Sequence, residues 1–243
     1  MQQLQKQQTL QAQIQEITVA AGKTTSLTLP IENTEFKINV GENAKLSILQ
    51  IATPTCIGKN IISLGKNAVL ELGIVCLESS NVETQLNLTG QGASANIGAM
   101  FLGNGEENIT INSVVNHIAP STTSKTNIYG ALKGKSRAKS IGNIKIEKTG
   151  QQTNAFFASH ALLLDKNCRA ESIPALEIEA NDVKAGHAAS TTKMSQEQLF
   201  YCESRGLSEK ESEKIIALGF LQRAFSQLPF NTSQMVEEKW QKM

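Results

Sequence analysis

The side chains of this chain best suited to hold a metal are three histidines, His117, His160 and His187, and four cysteines, Cys56, Cys76, Cys168 and Cys202. Imidazole nitrogen and thiolate sulfur are donors for zinc, copper and iron. Their spacing does not describe a self-contained centre, because there is no Cys-x-x-Cys pair and no His-Glu-x-x-His helix. A centre built on thiolates would therefore be shared between chains or be transient. Cys76, in the apolar run Ile74-Val-Cys-Leu, and Cys202, after Leu199-Phe-Tyr, read as small core residues. Cys56 reads either way. Cys168 lies in the polar turn Asp165-Lys-Asn-Cys-Arg169, where exposure and a neighbouring positive charge favour thiolate, so it is the expected cysteine ligand.

Other chemistries find little support. Gly22-Lys-Thr24 resembles the end of a phosphate-binding loop, but the position five residues before Gly22, where that loop needs glycine, holds Ile17. No Gly-x-Ser-x-Gly elbow occurs. With 23 basic against 22 acidic residues, no net field draws the chain to nucleic acid or to an anionic membrane. No apolar run reaches the roughly 18 residues of a membrane span. Sparse, scattered cysteines fit a reducing compartment, so the chain is expected to be cytoplasmic, and without those catalytic patterns it is expected not to be an enzyme.

The elements that must position these side chains fall into three segments. Residues 1–16 are Gln-rich, with only Leu4, Leu10 and Ile14 as an apolar stripe, and read as a polar arm. From Ile17 to Lys193 the pattern is alternating and β-branched, as in Ser26-Leu-Thr-Leu and Phe36-Lys-Ile-Asn-Val. A short phrase recurs within it, at Gly41-Glu-Asn-Ala, Gly65-Lys-Asn-Ala, Gly90-Gln-Gly-Ala, Gly134-Lys-Ser-Arg and Asp165-Lys-Asn-Cys. The 44-residue step from Gly90 to Gly134 reads as two repeats of 22, so a turn-then-strand unit of about 22–25 residues predicts a solenoid of about seven or eight rungs. Each unit supplies a residue that can bend the chain, then a small inward residue, then a strand. A β-sandwich of regular hairpins is the alternative.

After Lys193 the period becomes helical, so residues 194–243 form a C-terminal helical domain. Ser195-Gln-Glu-Gln198 predicts a capped helix over Gln196–Ser204, stopped at Arg205-Gly206, and Ser208-Glu-Lys-Glu211 opens a second. On the second helix Ile215, Leu218, Leu221, Ala224 or Phe225, and Leu228 form the expected buried stripe, ended by Pro229. Trp240 falls in a charged tail that reads as a short docking turn or as unstructured chain.

Several fragments, taken together, carry a family resemblance. They are Val115-Asn-His117-Ile-Ala-Pro120-Ser-Thr-Thr-Ser124, Tyr129-Gly-Ala-Leu-Lys-Gly134, Leu162-Leu-Leu, Pro174-Ala-Leu-Glu-Ile, Val183-Lys-Ala-Gly-His187, and Gln198-Leu-Phe-Tyr to Arg205-Gly. In order and spacing they resemble the SufB/SufD scaffolds of iron–sulfur cluster assembly. The match spans about residues 110–228, and the chain is more SufD-like than SufB-like. The resemblance implies a right-handed parallel β-helix followed by a helical domain. It implies a SufB/SufD-like partner subunit, in a homo- or heterodimer paired through the β-helices, and a SufC-like ABC ATPase docked on the C-terminal helices. It also implies an iron–sulfur cluster formed transiently at the paired interface.

Carried over by position, the SufD-type histidine is His187, in a turn of small residues, where one ring nitrogen can bind ferrous iron and the other be oriented by an acceptor. The SufB-type cysteine falls on Ser159, beside His160, which can stand in as a ligand, and no carboxylate occupies the SufB-type glutamate position near His187. The expected ligands are thus His187, Cys168 and His160. Two other readings remain at this stage: a self-associating structural β-helix without metal, and a metal-dependent enzyme using His160 with His187.

Overall fold

Alternation of inward apolar and outward polar side chains sends this chain into short strands, and its turns bend it back in a coil. A computed structural model describes residues 13–243. The strands are β1 Gln13–Val19, β2 Thr24–Ile31, β3 Thr34–Val40, β4 Lys45–Ala52, β5 Cys56–Leu64, β6 Val69–Cys76, β7 Ser80–Leu88, β8 Ser94–Gly103, β9 Asn108–His117, β10 Thr123–Leu132, β11 Arg137–Ile146, β12 Thr153–Leu163, β13 Arg169–Ile178 and β14 Val183–Lys193. Odd strands form one seven-stranded parallel sheet and even strands the other. The result is a right-handed parallel β-helix of seven rungs. Strand β1 starts four residues before the change of pattern at Ile17, and most of the expected N-terminal arm lies outside the described residues.

The rungs widen along the coil. Thr24 pairs with Lys45, 21 residues on; Lys45 with Val69, 24 on; Ser94 with Thr123, 29 on; and Thr123 with Asn154, 31 on. This corrects the reading of 44 residues as two short repeats. The turns at Gly41, Gly65 and Gly90 open strands of the even sheet, whereas those at Gly134 and Asp165 open strands of the odd sheet. The step from Gly90 to Gly134 is one and a half wide rungs, because the same turn chemistry serves both corners.

At the corner before the even strands, one residue per rung takes a left-handed conformation: Gly22, Asn43, Asn67, Gly92, Ser121 and Gln152, with φ between 53° and 74°. Glycine and asparagine tolerate this region best. Each donates its backbone N–H to a carbonyl of the next rung: Asn43 to Lys66 (2.8 Å), Asn67 to Gln91 (2.9 Å), Ser121 to Gln151 (2.8 Å) and Gln152 to Asp182 (2.6 Å). The turns therefore stack as a column. Inside, Phe36, Ile38, Leu46, Ile48, Ile62, Leu70, Leu72 and Leu86 are fully enclosed. Each such side chain is worth about 1.5–3 kcal/mol. Gln50 and Asn60, both buried, exchange amide hydrogen bonds at 2.8 and 2.9 Å and so satisfy each other.

The outer face of the even sheet is apolar and carries the C-terminal helices. These are α1 Gln196–Ser204, α2 Glu209–Gln222 with a further 3-10 turn over Arg223–Phe225, and α3 Ser233–Gln241. Both expected starts are present: the Ser195 hydroxyl accepts the Gln198 N–H, and Ser208 with Glu211 completes a capping box at α2. Ala217, Leu221, Ala224 and Phe225 close over Leu49, Val75, Met100, Leu102, Tyr129 and Leu162. Ile215, expected in that stripe, instead faces solvent, 51% exposed. The tail around Trp240 is helical, with Val236 buried and Lys239 paired to Glu107 at 2.7 Å.

Gly73 and Gly98, neighbours across the even sheet, make the seat for this segment. A Cβ on Gly73 would lie 2.7 Å from the Phe230 ring; one on Gly98 would meet the Ala224 carbonyl and the Leu228 side chain. Gly98→Leu should therefore undock the C-terminal segment at a cost of about 1–3 kcal/mol. Emission from Trp240 should shift to the red while the β-sheet circular dichroism is retained. An unshifted spectrum would show that the seat is not needed.

Candidate functional site

The three histidines occupy three different environments. His117 ends β9 and points inward, with no exposed surface. Its Nδ1 lies 2.8 Å from the Thr122 hydroxyl and its Nε2 2.8 Å from the Ser124 hydroxyl, while Thr122 reaches Thr153 of the next rung at 3.0 Å. The stretch from His117 to Ser124 is thus a buried corner whose polar atoms satisfy one another. Burial pushes the His117 pKa from the ordinary 6.5 down to about 4. Both ring nitrogens are engaged, so His117 is a structural residue.

His160, on β12, points to the outer face of the even sheet. Its Nδ1 lies 2.7 Å from the Ser190 hydroxyl of β14. Its ring sits 4.7 Å from that of Tyr129, which in turn carries the Arg223 guanidinium at 5.2 Å and the edge of Phe220. Burial, aided by the charge of Arg223, holds the His160 pKa below the usual range. This stack, including Ser190 and Arg223, is not legible in the sequence, because its members come from five elements with no local pattern.

His187 lies in the middle of β14, not in a turn. The run Gly186-His-Ala-Ala has turn-like composition, but here small residues line the last strand of the coil. Side chains alternate across a strand, so His187 shares a face with Val183 and Ala185, which pack on the core. At this open end of the coil the imidazole is exposed. Phe157 is the register partner of His187 and Ser190 that of His160, so the two histidines project from opposite faces of the sheet. The backbone of β12 and β14 stands between them. A single chain cannot close both imidazoles on one ion, which removes the geometry that an enzyme built on His160 and His187 requires.

Cys168 does not have the exposure expected of it. It is fully buried, and its thiol lies 2.8 Å from the Asp165 carbonyl and 3.3 Å from that of Leu132. The physical reason is the repeat itself. Asp165-Lys-Asn-Cys168 parallels Gly65-Lys-Asn-Ala68, and the fourth place of the phrase points into the core, as Ala44 and Ala68 do. In this arrangement Cys168 is closed to a metal. Cys56 and Cys76 are also buried, and burial pushes the Cys76 thiol up to about 12 and raises that of Cys56. Cys202 is partly exposed on α1, a helix expected to be packed but holding no buried residue.

Among the described residues, no group of three or more His, Cys, Asp or Glu side chains converges as a metal site. The accessible donor at the open end is His187, which supplies one ligand and leaves the remainder to another chain. Ser159, buried beneath the same sheet, is no substitute for a thiolate. Two further surfaces lack a partner. The outer edge of β14 has no neighbouring strand among the described residues. On the helical domain, Phe200 of α1 is 72% exposed and Tyr201 60%, and Ile215 of α2 is exposed as well.

A model of the family described as SUF system FeS cluster assembly, SufBD core domain, matches residues 6–220. An iron–sulfur cluster assembly SufBD family protein of Mycobacterium leprae is 29% identical over 211 residues, covering 81% of this chain and 53% of its own length. The iron–sulfur cluster assembly protein SufD of Bacillus subtilis is 27% identical over 200 residues, covering 79% of this chain and 46% of its own length. A SufBD family protein of Mycobacterium tuberculosis is 28% identical over 203 residues. The chain spans about half the length of these curated relatives.

Two outcomes follow from the buried side chains. Because the folded pKa of His117 is depressed, the unfolded chain takes up its proton first as the pH falls. The stability contributed by the neutral ring is present above pH 6.5 and is lost towards pH 4, by about 3 kcal/mol. Urea unfolding at pH 7 and pH 4.5 should show this loss in the parent chain and a shallower one in His117→Asn; equal slopes would remove His117 as the cause. In the native state a thiol reagent should label Cys202 alone, with Cys56, Cys76 and Cys168 reacting only on unfolding. Rapid native labelling of Cys168 would contradict its placement.

Proposed function

The chain belongs to the SufBD family of iron–sulfur cluster assembly proteins, and on that premise we propose that it is a scaffold subunit of a SUF-type assembly complex. In this reading it dimerises through the open end of its β-helix with a SufB/SufD-like chain and docks a SufC-like ABC ATPase through α1 and α2. The observation that carries it is the exposed apolar face of the helix pair. An α-helix with no buried residue and two large aromatics in solvent is costly unless something covers it. Phe200, Tyr201 and Ile215 are exposed large apolar groups of the type that anchor an interface.

Dimerisation is supported by the edges of the two sheets. Proline lacks a backbone donor and is tolerated on edge strands, which it also protects from pairing. Pro30 lies on β2, at the far edge of the even sheet, and Pro174 on β13, at the last edge of the odd sheet. Strand β14 carries neither proline nor acid, and its run from Ala185 to Thr192 has no charged residue. It is the edge left ready to pair. His187 stands at the middle of this strand, so pairing would bring it beside the donors of the second chain. The nascent iron–sulfur cluster is cargo in this reading, held transiently with His187 as one ligand and the partner supplying the rest. His160 serves at most from the outer face, and Cys168 would have to leave its buried place.

Phe200→Ser combined with Ile215→Ser should lower the affinity for a co-expressed ABC ATPase by about tenfold or more. Undiminished co-purification would remove the docking surface. Anaerobic reconstitution of the dimer with iron and sulfide should give visible absorbance that weakens in His187→Ala. Equal absorbance in both would exclude His187 as a ligand.

A further inference from the structure

On the opposite side of the coil, the outer face of the odd sheet holds two arginines that no carboxylate among the described residues pairs with. Arg137 begins β11 and Arg169 begins β13, and the two are register partners on adjacent parallel strands, about 4.8 Å apart along the hydrogen-bonding direction. Asn108 of β9 stands in the same row beside Arg137. Like charges placed directly opposite one another destabilise a sheet. A sheet normally interposes a carboxylate, as it does in the next row, where Lys139 meets Glu171 at 3.5 Å.

The carboxylates around the arginine pair are already engaged. Glu106 pairs with Lys135 at 3.3 Å, Glu107 with Lys239 at 2.7 Å, and Asp165 accepts the Gly134 N–H at 2.7 Å. Neither guanidinium takes part in an ion pair among the described residues. Arg169 is nonetheless held in place, since its Nη1 donates to the Lys166 and Cys168 carbonyls of its own turn, both at 2.9 Å. A shallow cavity of about 370 Å³ opens over this row, lined also by Thr110, Lys139 and Glu171.

We infer that the Arg137–Arg169 pair is a binding site for a phosphate-type oxyanion, either free phosphate or a phosphate monoester. Arg137 and the Nε–Nη2 edge that Arg169 keeps free can each give two parallel hydrogen bonds to tetrahedral oxygens, which a lysine pair could not. The Asn108 amide and the Thr110 hydroxyl supply neutral donors at the rim. The site lies on the face away from the helices and does not depend on the scaffold reading.

Thermal unfolding in sodium phosphate and in sodium chloride of matched ionic strength tests it, with 15N amide shifts of residues 108, 137 and 169 followed as inorganic phosphate is added. The parent chain should melt at a higher temperature in phosphate, and those amides should shift with a dissociation constant near or below about 1 mM. Arg137→Gln should weaken binding at least tenfold and remove the phosphate-dependent rise, while melting no lower than the parent in chloride, because a like-charge contact has been relieved. A parallel titration with glycerol 3-phosphate separates the sources: tighter binding of the ester identifies a monoester site, and equal binding a site for the free ion. If the parent melts alike in both salts and those amides do not move, or if Arg137→Gln binds as well as the parent, the site does not exist.

Discussion

Everything in this molecule hangs on one backbone demand, that the chain turn left-handed once per rung at the same corner and pass its N–H to the rung beyond. That demand selects Gly or Asn at Gly22, Asn43, Asn67 and Gly92, and it is met by Ser121 and Gln152 where the rungs are wider. Because the turns stack, the residue that follows each from Asn43 onward lands at the same inward place: Ala44, Ala68, Ala93, Thr122 and Thr153. The strands then inherit their register from the corners, and the aliphatic columns of the core follow from the register. Cys168 is buried at the other corner, where the same turn phrase opens an odd strand and its fourth place again points inward.

How much of this could be read from the residues depended on the range over which each signal acts. Period-two alternation, the helix caps at Ser195 and Ser208, and the stop at Gly206 are local and were legible. The number of rungs was less so, since one turn phrase serves two corners and its spacing mixes whole with half circuits. His187 read as part of a turn because Gly186, Ala188 and Ala189 are small. Small residues also suit a terminal strand with little core to fill. Ile215 was assigned to the wrong face of α2 because several overlapping apolar stripes are possible there. Only the shape of the outer sheet, set by Gly73, Gly98 and Phe230, decides that Ala217 and Leu221 are the ones that fit.

The residues that carry the family resemblance divide into two kinds once they have places. His117, Thr122 and Ser124 bond to one another in a sealed corner and preserve the coil. Phe200 and Tyr201 stand largely in solvent, with the Arg205 guanidinium 5.2 Å over the Tyr201 ring as a local contact. The first kind explains why the chain folds as its family does, and the second is where a partner would act. Ligand chemistry belongs to neither: the sheet that separates His160 from His187 leaves one imidazole per chain at the open end.

The bare edge of β14 sets the arithmetic of assembly as well as its place. An edge that meets its own copy about a two-fold axis is used up by that meeting, and growth stops at two chains. An edge that meets the opposite end of the next molecule leaves an identical edge free, and the result is a filament of unlimited length. Parallel sheets favour the second outcome, since head-to-tail stacking would simply continue both of them. Pro30, on the far edge of the even sheet, stands in its way. One proline, with no part in any ligand chemistry, weighs against a coil of strands becoming a fibre.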